Sequence, residues 1–359
     1  MTTLSSSSPT ATATDTSGKP VTVRGVAANN RNRLVILICA VVLLAVVTAL
    51  SIMVGARNIA FSVVWEAMTN PQEIDEHFVI RDLRIPRTIV GLGVGCALGI
   101  AGALIQALTR NPLTDPGILG VNSGAAFAVA VGVSVAGISA IEQYIWFAFI
   151  GALLATVVVY AIGSSGRGGA DPLRLVLAGV ALGAVLGGLT SAMTLFNPKA
   201  FDQMRGWGAG SIVGRSLDVF WPTVPFMVVG LLLAAFCARS LNSIALGDDL
   251  AKALGTQVLR TRILVIIAVT LLAGSATAVA GPIGFVGLMI PHVSRWLVGP
   301  DQRWILAYTV VLSPLLLLSA DVVGRLIIPS MEIPVGILTA IVGAPVLIVL
   351  VRRRKASGL

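Results

Sequence analysis

Charged residues are scarce in this chain. Asp, Glu, Lys and Arg together make up 11% of its 359 residues, whereas 56% are hydrophobic. Soluble globular domains carry roughly 25% charged residues, so this composition excludes a soluble protein. It also excludes a chain that is disordered throughout, because disorder combines low hydrophobicity with high net charge. The composition therefore predicts a membrane protein with many spans.

Residues that carry catalysis and bind metals are equally few. The chain has two histidines, and its three cysteines lie inside apolar runs at separations that fit neither a metal site nor a disulfide framework. The sequence also lacks the phosphate-binding pattern G-x-x-x-x-G-K-[ST], the nucleophile pattern G-x-S-x-G and the zinc pattern H-E-x-x-H. We therefore expect no catalytic residue, no metal site and no cofactor, and the chain is not expected to be an enzyme.

Long apolar runs dominate the sequence. A helix needs about 20 apolar residues to cross ~30 Å of hydrocarbon, and ten runs are close to this length. The run at 282–298 is the weakest, because it is short. We predict an all-α, polytopic membrane protein with about ten transmembrane helices, in contact with membrane lipid. The runs are 34–55, 88–108, 117–136, 145–163, 173–196, 219–239, 260–280, 282–298, 303–324 and 334–351.

The basic residues indicate the orientation of these spans. Lys and Arg number 25 against 16 Asp and Glu, and most of them fall on one side if both termini are cytoplasmic, as the positive-inside rule requires. They are scattered between apolar runs and do not form one basic soluble face, so no nucleic-acid partner is expected. Residues 1–32 are rich in Ser and Thr and contain no apolar run. We interpret 1–32 as a disordered cytoplasmic tail and 33–359 as the transmembrane domain.

Glycines recur at four-residue spacing in two of the runs. Gly95 and Gly99 lie in the second run, and Gly179, Gly183 and Gly187 lie in the fifth. Small residues on one helix face let two backbones approach closely, which drives helix packing in lipid. We therefore expect all five glycines to lie on helix-packing faces.

The middle of every predicted span lacks a charged residue. Ion-coupled transporters usually carry ionisable groups inside the membrane, because coupling ions need ligands there. Their absence favours a transport pathway that is energised from outside the bilayer. A stand-alone secondary transporter or channel and a non-transporting membrane scaffold remain the alternatives from other classes.

A short polar stretch between the sixth and seventh runs contains a second periodic pattern. Leucines recur every four residues and give a two-turn helix one apolar face, while Asp248 and Asp249 suit a helix start and Gly255 a helix end. This face has no domain of its own to pack on. It is either an interfacial helix that lies on lipid or a docking surface for a cytoplasmic partner. The residues concerned are Leu246, Gly247, Asp248, Asp249, Leu250, Ala251, Leu254 and Gly255.

Three arginines lie on the predicted external side. Arg84 and Arg87 precede the second span, at a helix start where the dipole disfavours cations. Arg325 follows Asp321 by four residues near the outer end of the ninth span. We expect these arginines to need a compensating group outside the chain. They either anchor helices to lipid headgroups or recognise an acidic partner.

Taken together, these segments resemble the permease subunits of the ABC importers for ferric siderophores, haem and cobalamin. The resemblance runs in family order from about residue 35 to the end of the chain. The stretch Arg205–Arg215 resembles the segment after the fifth span in siderophore permeases, although many relatives have an aromatic residue at Gly206. The matching stretches are Leu83–Thr88, Gln106–Gly120, Leu246–Gly255, Gly281–Arg295, Ala320–Arg325 and Glu332–Pro345.

The resemblance implies a multi-pass protein of the bacterial cytoplasmic membrane that works in an assembly. Its implied partners are a second permease subunit, identical or homologous, two cytoplasmic ATP-binding subunits that hydrolyse ATP, and an extracytoplasmic substrate-binding protein. The segment Leu246–Gly255 would couple to the ATP-binding subunits, and Arg84, Arg87 and Arg325 would dock the binding protein. An iron–siderophore complex is the favoured substrate, with cobalamin or haem as alternatives.

Overall fold

We analysed a computed structural model of the chain. It describes residues 26–27, 29–55, 59–138, 140–165, 172–327 and 332–352. Most of the predicted tail, 1–32, lies outside the described residues. Within these ranges all regular secondary structure is helical.

Fifteen α-helices follow one another in the described part of the chain. A π-helical turn, Val79–Arg84, joins the third helix to the fourth without a break, and 3-10 turns occupy Pro116–Leu119 and Trp221–Thr223. The helices are α1 (Asn30–Met53), α2 (Phe61–Thr69), α3 (Asp75–Phe78), α4 (Ile85–Thr109), α5 (Val121–Val135), α6 (Ile141–Ser164), α7 (Pro172–Phe196), α8 (Pro198–Gly208), α9 (Leu217–Phe220), α10 (Val224–Ala245), α11 (Asp248–Ala253), α12 (Val258–Ala280), α13 (Val286–Val298), α14 (Gln302–Ile327) and α15 (Val335–Arg352).

Seven helical segments among the described residues are long and apolar enough to cross a membrane. Two shorter apolar helices, Val121–Val135 and Val335–Val349, add to them. The weakest predicted run, 282–298, gives only the 13-residue helix α13. Each of the ten predicted runs overlaps one helix of ten or more residues, and the expectation of an all-helical, multi-pass membrane protein is confirmed.

Helix α4 forms the centre of the bundle, packed against α10, α12, α13 and α14. Its glycines lie where α14 passes closest: a Cβ atom at Gly95 would be 2.6 Å from Pro314 Cα, and one at Gly99 would be 1.9 Å from Ser313 Oγ. Gly102, which the spacing argument did not single out, approaches α13 in the same way, with a Cβ position 1.8 Å from Gly287 O. Side chains larger than glycine would therefore separate these helices.

Helix α7 contains the other three glycines of the packing prediction. A Cβ atom at Gly179 would lie 1.6 Å from Ile118 O, which makes this position a close approach. At Gly183 a Cβ atom would make only ordinary contact, 3.5 Å from Ser123 Oγ, and at Gly187 it would meet nothing within 4 Å. Among the described residues, therefore, only Gly179 of the three lies at a close helix approach, and the packing role of Gly183 and Gly187 stays a prediction.

Candidate docking and coupling sites

Two clusters of charged side chains lie at the two ends of α4. Arg84 and Arg87 mark the beginning of this helix and Arg110 caps its end. Because α4 has 25 residues and a helix rises about 1.5 Å per residue, the clusters are roughly 37 Å apart. The central helix of the bundle thus connects two charged sites directly.

Arg87 is the centre of the first cluster. Its Nε and Nη2 atoms donate to the Asp321 carboxylate over 2.7–3.1 Å, and its Nη1 atom donates to both oxygens of Glu332 over 2.9 and 3.0 Å. Arg87 and Asp321 are buried. Such planar, charge-assisted contacts fix both the position and the orientation of a guanidinium group. Arg87 therefore joins α4 to α14 and to the segment that precedes α15.

Arg84 and Arg325 bind the end of α1. Arg325 donates through Nη1 to the carbonyl oxygens of Ser51 and Val54, over 2.9 and 3.0 Å, and through Nη2 to Asp321 over 2.7 Å. Arg84 donates through Nη1 to Ile52 O and Met53 O, both over 2.8 Å. The last carbonyls of a helix have no partner within it, and its dipole favours cations at this end. The two arginines therefore cap α1 from neighbouring helices.

These contacts correct the physical argument made for the three arginines. The expectation that they need a compensating group outside the chain is wrong, because Asp321, Glu332 and the end of α1 supply it. All three are buried, with 6–7% of their surface exposed. Arg84 and Arg325 place their charges where the field of α1 is favourable, and Arg87 places its charge between two carboxylates. Their role in docking a partner stays a prediction.

The second cluster surrounds the short helix α11. Asp248 at its start accepts hydrogen bonds from Arg110 and from Arg262 of α12, the latter over 2.7 Å. The helix spans only six residues, and the flanking Gly247 and Gly255 have φ angles of 111° and 80°. Glycine adopts these angles without strain, so the chain turns sharply on both sides. Asp248 therefore ties α11 to two helices of the bundle.

The leucine face of α11 points away from the bundle. Ala251 is buried and packs with Ile244 and Val258. Leu246, Leu250 and Leu254 are 60%, 59% and 64% exposed. The predicted two-turn helix is wrong, because α11 spans only Asp248–Ala253: Leu250 lies on it, whereas Leu246 caps the end of α10 and Leu254 caps the end of α11. Ala251 and the ion pairs of Asp248 thus hold α11 against the bundle, while the large apolar side chains of this segment remain accessible.

Asp115 lies in the turn that follows α4. Its Oδ1 atom accepts from Gly117 N over 2.8 Å and caps the Pro116–Leu119 turn. Burial raises the pKa of the Asp115 carboxyl above its ordinary value, although the hydrogen bond from Gly117 lowers it. The carboxyl therefore binds a proton more readily here than in the unfolded chain.

Sequence reasoning missed three participants in these clusters. The Ser51 hydroxyl shares a hydrogen bond of 2.9 Å with the Thr88 hydroxyl and accepts another from Arg325. Ser51 lies in an apolar run, and nothing in its local pattern indicates these contacts. Glu332 belonged to a stretch that carries the resemblance, which was a usable signal. Arg262 lies one turn into α12. Basic residues are common at the ends of transmembrane spans, so its position did not indicate a contact with Asp248.

Comparison with known proteins shows that the chain is similar to permease proteins of transport systems. It is 49% identical over 317 residues to the ferric enterobactin transport system permease protein FepD of Escherichia coli (strain K12), covering 88% of this chain and 94% of the relative. It is 33% identical over 319 residues to the hemin transport system permease protein HmuU of Yersinia pestis, covering 88% and 94%.

A solved structure and a family description agree with these relatives. The structure, described as a metal-chelate type ABC transporter in an inward-facing conformation, superposes with a TM-score of 0.77 at 27% identity and covers 89% of this chain and 99% of its own. Residues 29–353 match the description of the FecCD transport family. This match covers most of the chain, so the protein is a multi-pass membrane protein that belongs to the FecCD transport family.

Proposed function

We propose that this chain is the membrane-spanning permease subunit of an ATP-driven importer that carries a ferric siderophore across the bacterial cytoplasmic membrane. The observation that carries the proposal is the segment around α11: Asp248 and Ala251 hold it in place, while Leu250 on the helix and Leu246 and Leu254 on either side of it are exposed. Because the sequence has no phosphate-binding motif, ATP hydrolysis belongs to a partner, and α11 is the surface on which that partner docks.

The same proposal includes ten transmembrane helices with both termini in the cytoplasm. The seven long apolar segments and the two shorter apolar helices support it, as does α13 at the eighth predicted run, 282–298. This topology places Arg110 and α11 on the cytoplasmic side and the Arg87 cluster on the outer side. The two ends of α4 would then meet the ATP-binding subunit and the substrate-binding protein.

A second permease subunit, identical or homologous, would cover the open half of α7. Only 17% of the residues in the most apolar stretch of α7 are buried within this chain. Val185, Leu189 and Leu195 are among its exposed apolar side chains, at 61%, 47% and 79%. An apolar helix that leaves its own bundle in this way either faces lipid or pairs with another subunit. The proposed assembly has two permease subunits, two ATP-binding subunits and one substrate-binding protein.

The choice of a siderophore over haem rests on the relatives. FepD, named for ferric enterobactin transport, is 49% identical to this chain, whereas HmuU, named for hemin transport, is 33% identical over a similar span. The difference supports a ferric siderophore as the substrate class.

The test is uptake by the reconstituted assembly. The chain is co-expressed with an ATP-binding subunit and a second permease subunit, purified through a tag on this chain and placed in liposomes with the binding protein. We expect the ATP-binding subunit to co-purify and a ferric siderophore to enter with ATP, with inhibition by vanadate and none by an ionophore. Uptake without ATP that an ionophore abolishes would instead show a secondary transporter, and uptake of haem alone would overturn the substrate class.

A further inference from the structure

Arg87 binds two carboxylates that differ in their access to solvent. The Asp321 side chain is 0% exposed, whereas the Glu332 side chain is 49% exposed, although both lie within 3.0 Å of the guanidinium. Asp321 also binds Arg325. Removing one partner of a buried pair is strongly destabilising, while an exposed pair contributes little to stability. Asp321 is therefore a fixed ligand of Arg87, and Glu332 is an exchangeable one.

The charges in this cluster favour an additional carboxylate. Arg84, Arg87 and Arg325 carry three positive charges and Asp321 and Glu332 carry two negative charges, so these five described side chains together carry one net positive charge. Its arginines are buried, and Glu332 covers the Nη1 edge of Arg87 from the solvent side. A carboxylate that arrives from outside can reach that edge only if Glu332 leaves it.

We propose that Glu332 is a built-in competitor that occupies Arg87 until a carboxylate of the external substrate-binding protein replaces it. This inference rests on the proposed function, since it takes the Arg87 end of α4 as the docking side. The incoming group is an Asp or Glu side chain, because a planar carboxylate can take over both hydrogen bonds that Arg87 Nη1 makes to Glu332. The exchange conserves the number of ion pairs at Arg87.

The exchange also releases the start of α15. Glu332 lies three residues before this helix, whose Gly336 donates its N–H to Gly210 O over 2.9 Å. A Cβ atom at Gly336 would lie 2.4 Å from Ala209 O, so α15 begins in close contact with the segment that follows α8. Freeing Glu332 removes the link between this packed end and α4. Docking would thereby loosen the attachment of α15 to the central helix.

The experiment measures the affinity of the substrate-binding protein for the full assembly in nanodiscs. Glu332→Gln keeps the size of the side chain and removes its charge, so we expect about two- to fivefold tighter binding at low salt, the range set by one exposed ion pair. Glu332→Asp, whose shorter side chain keeps the charge, should lie between Glu332→Gln and the unchanged protein. The matched control is Glu142→Gln at the exposed start of α6, with no ion pair in the described residues. It should leave binding unchanged.

Equal or weaker binding by the Glu332→Gln variant would overturn the proposal. Loss of folded protein would overturn it as well, because Glu332 would then be an indispensable ligand of Arg87. An equal gain in the Glu142→Gln variant would show that only the overall surface charge matters. If the unchanged assembly imports substrate with ATP but binds no external protein, the docking part of the proposed function fails instead.

Discussion

The exposed leucines of α11 give the sharpest test of the coupling surface. Fully burying a leucine contributes about 1.5–3 kcal/mol, and Leu250 is 59% exposed in this chain. A partner that covers it would gain about 1–2 kcal/mol from this one side chain. We therefore expect Leu250→Ala to weaken the association with the ATP-binding subunit by roughly five- to thirtyfold.

Leu250→Asp is the stronger perturbation. It would place an unpaired carboxylate in the contact, which costs on the order of several kcal/mol. Association should then fall about a hundredfold or more. The isolated chain should be unaffected, because Leu250 lies outside the core and its replacement leaves Ala251 and Asp248 in place.

The assay is the amount of ATP-binding subunit that co-purifies with the tagged chain, together with transport and the melting temperature of the chain alone. The matched control is Leu259→Asp on α12, where a leucine of similar exposure, 61%, lies outside the leucine face. This control should keep its partner. Co-purification and transport that both survive in the Leu250→Asp variant would refute the reasoning and show an interfacial helix lying on lipid.

Three further predictions follow from the clusters and the packing. Gly95→Ala should destabilise the chain by about 1–3 kcal/mol, because its Cβ would meet the backbone of α14, whereas Gly188→Ala, with nothing within 4 Å, should not; thermal unfolding in detergent measures both. Asp248→Asn should lower transport while the ATP-binding subunit still co-purifies, because α11 loses its ion pairs to the bundle; the neighbouring Asp249→Asn, on a fully exposed side chain, should transport normally. The folded pKa of Asp115 lies above its unfolded pKa, so the contribution of Asp115 to stability falls as pH rises from the unfolded to the folded pKa. Asp115→Asn should therefore raise the melting temperature more at pH 8 than at pH 5.

The positions of the helices could be predicted from the sequence because they depend on local composition. Ten apolar runs indicated where helices lie, and the leucine repeat indicated a short segment with exposed apolar side chains, although not the extent of its helix. Both signals arise from residues within one or two turns of each other. Helix ends were less accurate: α11 is six residues long, and α13 begins after a left-handed Phe285 that no pattern predicted.

The arginine cluster could not be predicted because its contacts are distant in sequence. Arg87 and Asp321 are 234 positions apart, and Arg325 lies 274 positions from Ser51. Local electrostatics gave the correct sign for the dipole of α4 but could not show that α1 ends beside it. The glycines illustrate the same limit. Their spacing shows that one helix face carries small residues, but not whether another helix lies against that face, which is the difference between Gly99 and Gly187.

The capping of α1 has a consequence for the order in which the protein is made. Both capping arginines follow α1 in the chain and are therefore synthesised after it, and only 6% of the residues in its most apolar stretch are buried in the finished bundle. Its carbonyl groups at Ser51 and Val54 stay without their guanidinium until Arg325 arrives, more than 270 residues later. The cap of α1 is therefore completed in two stages: Arg84 is available soon after the helix, whereas the contacts with Arg325 can form only once α14 has been made.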